Sequence, residues 1–296
     1  MYFPSVLVLG ATGRIGGILR RVWPGIWPET SLPDQVLWQA RKPVSEPEPG
    51  YCETVFDPLG DPGALIRAAT GRAAILCLSG VTPARAARSP DPQAALAHNI
   101  ALGEAAVRAG AACGARVFVA SSAAVYGDRP GLLEETAPLA PVSPYGRAKA
   151  ETEVRAAALG AKLGVPVCAL RIANVAGLDA ILGGWRPGFE LDQFPGGRTP
   201  ARSYIGPATL ARVLGELLMA PDLPGALNIA APGVVEMGAL LEAAGLGWHP
   251  RPARPGAIAR VALSTTALER FTVLSPADGR AATLVAEWRD MTGGAG

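Results

Sequence analysis

Lysine, histidine and asparagine are scarce in this chain of 296 residues. Lysine occurs at Lys42, Lys149 and Lys162, and arginine carries the rest of the positive charge. The two histidines, His98 and His249, argue against a zinc site or a histidine-based triad, so no metal is expected. Cys52, Cys77, Cys113 and Cys168 form no C-x-x-C pair and read as buried apolar residues in a reducing compartment. No apolar run reaches the ~18 residues of a membrane span. The longest candidate, residues 105–126, is broken by Arg108 and Arg116. The first residues enter a strand pattern with no charged leader or cleavage site, so a cytoplasmic location is expected. A net charge of +2 without a basic cluster asks for no nucleic acid. The remaining composition, 49% hydrophobic and 18% charged, is that of an ordinary soluble protein long enough to bury a full core.

What is present begins at the start of the chain. Val6-Leu7-Val8-Leu9 reads as a buried parallel strand. It runs into Gly10-Ala-Thr12-Gly13-Arg14-Ile15-Gly16-Gly17, and then into a helical pattern. Strand, glycine turn and helix start make a pyrophosphate cradle. Glycines let the backbone approach phosphates, and the helix N-terminus offers N–H groups and positive dipole. The candidate cofactor contacts here are Gly10, Thr12, Gly13, Arg14, Ile15 and Gly16. The spacing is G-x-x-G-x-x-G rather than G-x-G-x-x-G.

An acid that holds the ribose 2′-hydroxyl is expected roughly 20 residues on, at the tip of the second strand. The candidate strand, Val36-Leu-Trp-Gln39, comes late, after a Pro/Trp-rich insert from Val22 to Pro33. At its tip stand Ala40, Arg41 and Lys42, with no acid. Arg41, with Arg14 in the glycine turn, suits a 2′-phosphate because guanidinium forks match phosphate oxygens. NADP is therefore expected ahead of NAD. Asp57 and Leu59, after a short strand at Thr54–Phe56, complete the expected cofactor contacts.

Tyr145-Gly-Arg-Ala-Lys149 sets a phenol and an ammonium four residues apart, on one face of a helix. A free phenol loses its proton near pH ~10, and a cation held close favours the phenolate. Such a tyrosine becomes a usable acid and base near neutrality.

Apolar runs recur at Ala74–Leu78, Val117–Ala120 and Val167–Leu170, separated by helical stretches such as Ala94–Ala109 and Tyr145–Leu163. The alternation predicts an α/β fold: a Rossmann-type doubly wound parallel sheet. A smaller C-terminal substrate lobe is expected over its carboxyl edge. The expected division is 1–173 for the dinucleotide-binding domain and 174–296 for the lobe, partly interleaved with it. Gly183–Pro200 reads as a long substrate-side loop. Ala208–Met219 and Met237–Ala244 read as helices, Leu227–Ile229 as a strand, and Glu287–Met291 as a terminal helix or tail.

Val119-Ala-Ser-Ser122-Ala-Ala-Val-Tyr-Gly127 ends a strand, where Ser122 can meet a substrate oxygen beside Tyr145. Glycine turn, strand-end Ser122 and Tyr145/Lys149, in this order, resemble the extended short-chain dehydrogenase/reductases, which include the NAD-dependent sugar epimerases and dehydratases. The resemblance spans nearly the whole chain. It implies that Ser122 polarises a substrate hydroxyl or carbonyl, that Tyr145 moves the proton, and that Lys149 binds the nicotinamide ribose. The family's 4,6-dehydratases carry an acidic pair directly after the serine; Ala123 and Ala124 stand there, which disfavours elimination. The nucleotide-fucose synthases use a cysteine and a histidine near the site, and neither is placed to serve here.

Further matches follow. Arg171-Ile-Ala-Asn174-Val-Ala-Gly177 resembles Arg-x-x-Asn-x-x-Gly, Arg202-Ser-Tyr-Ile205 resembles Arg-Asp-Tyr-Ile, and Arg254-Pro-Gly-Ala257 resembles Arg-x-Gly-Asp. The resemblance implies that Asn174, Arg202 and Arg254 hold the diphosphate of a nucleotide sugar. Ser203 and Ala257 stand where the family has acids. Asn99 reads equally as a backbone anchor near the site or as helix polarity, and Asn228 as structural. The resulting expectation is an NAD(P)-dependent epimerase or reductase of a nucleotide-sugar-like substrate, a homodimer through the two helical stretches at Ala94–Ala109 and Tyr145–Leu163. The alternatives are an NADPH-dependent reductase of a smaller carbonyl, and a non-catalytic NADP-binding regulator.

Overall fold

The computed structural model describes residues 3–27, 35–44 and 51–293. Seven parallel strands form the main sheet: β1 (Val6–Leu9), β2 (Val36–Ala40), β3 (Cys52–Val55), β4 (Ala74–Cys77), β5 (Arg116–Ser122), β6 (Val167–Ile172) and β7 (Ala226–Ile229). Their spatial order is β7-β6-β5-β4-β1-β2-β3. The order reverses between β1 and β4, which opens a crevice at the carboxyl edge where such sheets bind ligands.

The sheet is buried on both faces, which is why its strands read as unbroken apolar runs. Val6 and Val8 of β1, with Ala74 and Leu76 of β4, face one core. There they meet Ile18, Leu19 and Trp23 of helix α1 (Arg14–Ile26) and Leu210 and Leu214 of a helix at Pro207–Met219. Leu7, Leu9, Ile75 and Cys77 face the other core. It is closed by α2 (Pro62–Ala69), α3 (Pro92–Cys113) and α4 (Pro144–Leu163). The successive residues of a strand thus divide between two layers, as period-two geometry requires. A third core lies around Leu191, Tyr204, Leu240 and Leu284 in the C-terminal third. That third also contributes β7 to the main sheet.

Three expectations change. The segment Gly183–Pro200 is not a plain loop: Glu190–Gln193 is a strand, paired in parallel with His249–Pro252. Its partner lies more than 50 residues away, so no local pattern announces it. The insert read from Val22 is helical through Ile26, with Pro24 inside the helix. Trp23 anchors this turn by donating from its indole Nε1 to Ala211 O at 2.8 Å. Pro28 to Pro33 lie outside the described residues. All four cysteines are free; Cys77 and Cys168 are buried, but Cys52 is exposed because it opens the edge strand β3. Among the described residues no helix is long and apolar enough to cross a membrane. Nor is there a group of three metal-ligating side chains among them.

Candidate active site

The glycine turn folds as a cradle. Gly10 has φ +92°, a conformation L side chains rarely adopt, and a Cβ added there would lie 2.8 Å from Ser79 N. At Gly16 an added Cβ would lie 2.4 Å from Gly10 O, so the start of α1 packs against the turn itself. Gly13 caps α1 without a side-chain hydrogen bond, which leaves the first N–H groups of the helix for a ligand. The residues present therefore fit a dinucleotide pyrophosphate.

Helix α4 begins where its sequence directs. Ser143 Oγ accepts from Gly146 N at 3.0 Å, and Pro144 occupies the first turn. This start sets Tyr145 at the helix mouth and Lys149 one turn deeper. Gly146 lets the helix press on the turn after Ser122, since an added Cβ would lie 2.5 Å from Ala124 O. Ser122 ends β5, and its Oγ accepts from Ala124 N at 3.2 Å. Ser122, Tyr145, Lys149, Asn174 and the cradle residues Thr12–Gly16 all line one cavity of about 610 Å³.

The two members of the Tyr/Lys pair differ in setting. Tyr145 is half-buried; burial raises its pKa above the usual 10.0, opposed by a hydrogen bond with Ser122 and by the charge of Arg14. Lys149 is buried, and burial lowers its pKa to about 8 against the attraction of Cys77 and Glu153. Its Nζ donates to Ala120 O at 2.8 Å and lies 5.9 Å from the centre of the Tyr145 ring. Burial pushes the Cys77 thiol up to about 11, so it is neutral at neutral pH.

Beyond the cradle lies a second cavity of about 290 Å³, lined by Gly10, Gln39, Ala40, Arg41, Asp57 and Leu59. Asp57 Oδ1 accepts from Leu59 N at 3.0 Å and shapes this turn. The two arginines read as a pair do not meet here. Arg41 lines this cavity, whereas Arg14 lines the Tyr145 cavity and donates to the carbonyl of Leu178 on the far wall. The side chain departs across the groove because Gly13 ends the turn and α1 starts with Arg14 on its exposed face.

Asn174, Arg202 and Arg254 lie along a row of cavities rather than in one. Asn174 is in the Tyr145 cavity. Arg254 lines a neighbouring one that shares Ala180 with it, together with Arg186 and Arg251. Arg202 lines another, which shares Phe189, Glu190 and Arg251 with the Arg254 cavity. Its guanidinium donates to Ala201 O and Ile258 O, both at 2.8 Å. Ser203 turns inward: its Oγ donates to Gly233 O and accepts from Leu263 N, each at 2.9 Å.

A family model, the NAD-dependent epimerase/dehydratase family, matches residues 6–180, which hold the cradle, Ser122, Tyr145, Lys149 and Asn174. The chain belongs to that family. Solved structures share the fold of this epimerase/dehydratase family member. MoeE5 in complex with UDP-glucuronic acid and NAD is 24% identical, with a TM-score of 0.73 over 97% of this chain and 99% of that one. The UDP-glucose 4-epimerase of Thermus thermophilus, in complex with NAD, is 22% identical, with a TM-score of 0.71 over 96% and 99%. A double mutant of Streptomyces venezuelae DesIV, a dTDP-glucose 4,6-dehydratase, with NAD and DAU bound, is 22% identical, with a TM-score of 0.73 over 97% and 98%. No curated protein matches the chain.

Glu153 and the role of Gln39 escaped the sequence reading, whereas Asn99 and Asn228 did not. Glu153 lies one turn beyond Lys149 on α4 and is buried. It accepts from Arg171 Nη2 at 2.8 Å and from the Ser121 hydroxyl. The extension of Tyr-x-x-x-Lys to Tyr-x-x-x-Lys-x-x-x-Glu was the available signal. Gln39 fills the tip of β2, where its Oε1 accepts from Gly10 N at 3.1 Å and its Nε2 donates to Phe56 O at 2.6 Å. Asn99 binds backbone near the site: Oδ1 accepts from Val81 N and Nδ2 donates to Val81 O, both at 3.1 Å. Asn228 is fully buried and structural in its contacts, accepting from Tyr126 OH at 2.8 Å.

Proposed function

We propose that the chain is an NAD(P)-dependent epimerase or reductase acting at a carbinol or carbonyl carbon of a nucleotide-sugar-like substrate, with Ser122, Tyr145 and Lys149 as its catalytic residues. The observation that carries this reading is the cavity that Ser122, Tyr145 and Lys149 share with the phosphate cradle. A bound NAD(P) supplies the hydride acceptor or donor. Ser122 orients and polarises the substrate oxygen. Tyr145 takes the hydroxyl proton when the carbinol is oxidised and returns it when the carbonyl is reduced. Lys149 is within one helical turn of Tyr145 and would hold the nicotinamide ribose. Gly10 to Gly16 would hold the pyrophosphate, and Asp57, Leu59 and Arg41 the adenosine end.

NADP is the cofactor we favour. Gln39 near the tip of β2 is uncharged, and its side chain is consumed by Gly10 N and Phe56 O. Arg41, rather than a pair with Arg14, supplies a guanidinium to this cavity, which Arg85 also lines. For the substrate, MoeE5 with UDP-glucuronic acid is a structural precedent. The arginine-lined cavities that continue from Ala180 suit an anionic diphosphate. Ala123 and Ala124 after Ser122 favour epimerisation or reduction over elimination. The homodimer contact, in this reading, is the outer face of α3 and α4, where Val154 is exposed beside the Arg155–Glu104 ion pair.

Calorimetry tests the reading. NADPH should bind more tightly than NADH. That gap should shrink with salt, because exposed charge contacts are screened, and should close in Arg41→Ala. Tighter NADH binding by the wild type removes the NADP assignment. With cofactor present, UDP-glucose should bind, and Arg202→Ala and Arg254→Ala should raise KM more than they lower kcat. Failure of every nucleotide sugar alongside NADPH oxidation by a small carbonyl substrate would replace this reading with the smaller-substrate reductase. Cofactor binding without any turnover would favour the regulator.

A further inference from the structure

We propose that Asp192 sets how tightly the arginine-lined end of the groove holds an anion: its carboxylate occupies the guanidinium groups of Arg251 and Arg254, so a diphosphate binds there only by displacing it. The proposal rests on the reading of these cavities as a diphosphate site.

The backbone register sets this contact. Glu190–Gln193 and His249–Pro252 pair in parallel, with Asp192 opposite Arg251. Side chains alternate along a strand. Leu191 packs into the third core, and Glu190 and Asp192, two residues apart, line the cavity that Arg202 and Arg251 also line. Arg251 Nε donates to Asp192 Oδ1 at 2.8 Å, and its Nη1 lies 3.4 Å from Glu190 Oε2. Arg254 Nε lies 3.6 Å from the same oxygen of Asp192. One carboxylate oxygen therefore faces two guanidinium groups.

Those two arginines matter because of where they stand. Arg251 and Arg254, with Arg186, are the cations of the cavity that continues from Ala180. Arg202, in the adjoining cavity, is held by the carbonyls of Ala201 and Ile258. A phosphate and a carboxylate seek the same edge of a guanidinium fork. Both held there at once repel each other as like charges. The internal carboxylate is therefore a competitor built into the site. It is also one that can be displaced. Asp192 and Arg251 are part-exposed and Arg254 is exposed, and pairs open to water are weak. The consequence for function is a groove end that recognises a diphosphate and also lets it go.

The test is calorimetry on the full chain with uridine, UDP and inorganic pyrophosphate as probes. Asp192→Asn keeps the shape of the side chain and removes its charge. It should tighten UDP and pyrophosphate by about tenfold, the effect of removing one like charge beside a bound anion in a partly solvated site. Uridine, which carries no charge, should bind as it does to the wild type. The gain should fade as salt rises. Glu190→Gln, which releases only the longer contact to Arg251, should tighten UDP less than Asp192→Asn does. Adding Arg254→Ala to Asp192→Asn should remove much of the gain. Unchanged or weaker UDP binding in Asp192→Asn overturns the proposal, because the carboxylate would then be a strut that holds the arginines in place. An equal gain for uridine overturns it as well. If UDP binds the wild type with no gain in the variant, this proposal fails alone. If neither protein binds UDP or pyrophosphate, the diphosphate reading fails and takes the proposal with it.

Discussion

The two ends of the ligand groove are built from different materials. At the Tyr145 end Ser122, Tyr145 and Lys149 rise from β5 and α4, and the polar groups beneath them are buried and hydrogen-bonded. Lys149, Glu153, Arg171 and Ser121 are all nearly inaccessible. At the Arg254 end the cavity walls are the pair Glu190–Gln193 and His249–Pro252 with their flanking loops. The ion pairs there join Arg251 and Arg254 to Asp192 and Glu190, with Arg254 66% exposed. A buried network fixes geometry and costs much to break, whereas a solvated one can shift with its ligand. Under the proposed function, one end would be preorganised for the reaction and the other free to vary with the substrate.

The largest test of that contrast is at the reacting oxygen. Tyr145→Phe removes one hydroxyl, and turnover should fall by about 10²–10⁴-fold. Calorimetry on the same variant should give nearly unchanged cofactor affinity. A matching loss of affinity would mean that the phenol is part of the cradle rather than of the chemistry.

Next comes the support beneath it. Glu153→Gln leaves Arg171 buried without its carboxylate, 2.8 Å from where that oxygen was. Breaking a buried pair from one side costs about 3–5 kcal/mol, which denaturant titration would read as a lowered midpoint with an unchanged slope. A loss below about 1 kcal/mol would place this network in the same class as the surface pairs.

A pH series separates the two members of the Tyr/Lys pair. Burial lowers the pKa of Lys149, so its ammonium is present below about 8 and is lost as pH rises through that value. Cofactor affinity should therefore fall as pH rises through about 8, and Lys149→Met should be weaker and flat over the same interval. A wild-type affinity that stays level there would show that the ammonium contributes nothing to binding.

The smallest effect belongs to the other end. Asp192 accepts from Arg251 at 2.8 Å and lies 3.6 Å from Arg254, at partly exposed side chains. Asp192→Asn should cost less than about 1 kcal/mol of stability while changing KM for a nucleotide sugar. A stability loss near that of Glu153→Gln would erase the contrast between the two ends.

Much of the preorganised end was legible in the sequence because it is local. The glycine turn, the Ser143-Pro144 helix start and the four-residue step from Tyr145 to Lys149 are each set within a few residues, by dihedral freedom, capping and helical period. The strands announced themselves because burial on both faces leaves unbroken apolar runs. The variable end was not legible for the complementary reason. Glu190–Gln193 becomes a strand by pairing with residues more than 50 positions away, and nothing in either segment names the other.

Charge shows the same division. The residue types at positions 14, 41, 145 and 149 were determined by the sequence, and with them the chemistry available. Where each cation sits was decided by tertiary structure. Arg14 leaves Arg41 and crosses to Leu178, and Lys149 sinks onto Ala120 O. Burial then moves the lysine and the tyrosine apart in acidity, because desolvation penalises whichever form is charged, and that penalty depends on depth rather than on spacing along the chain.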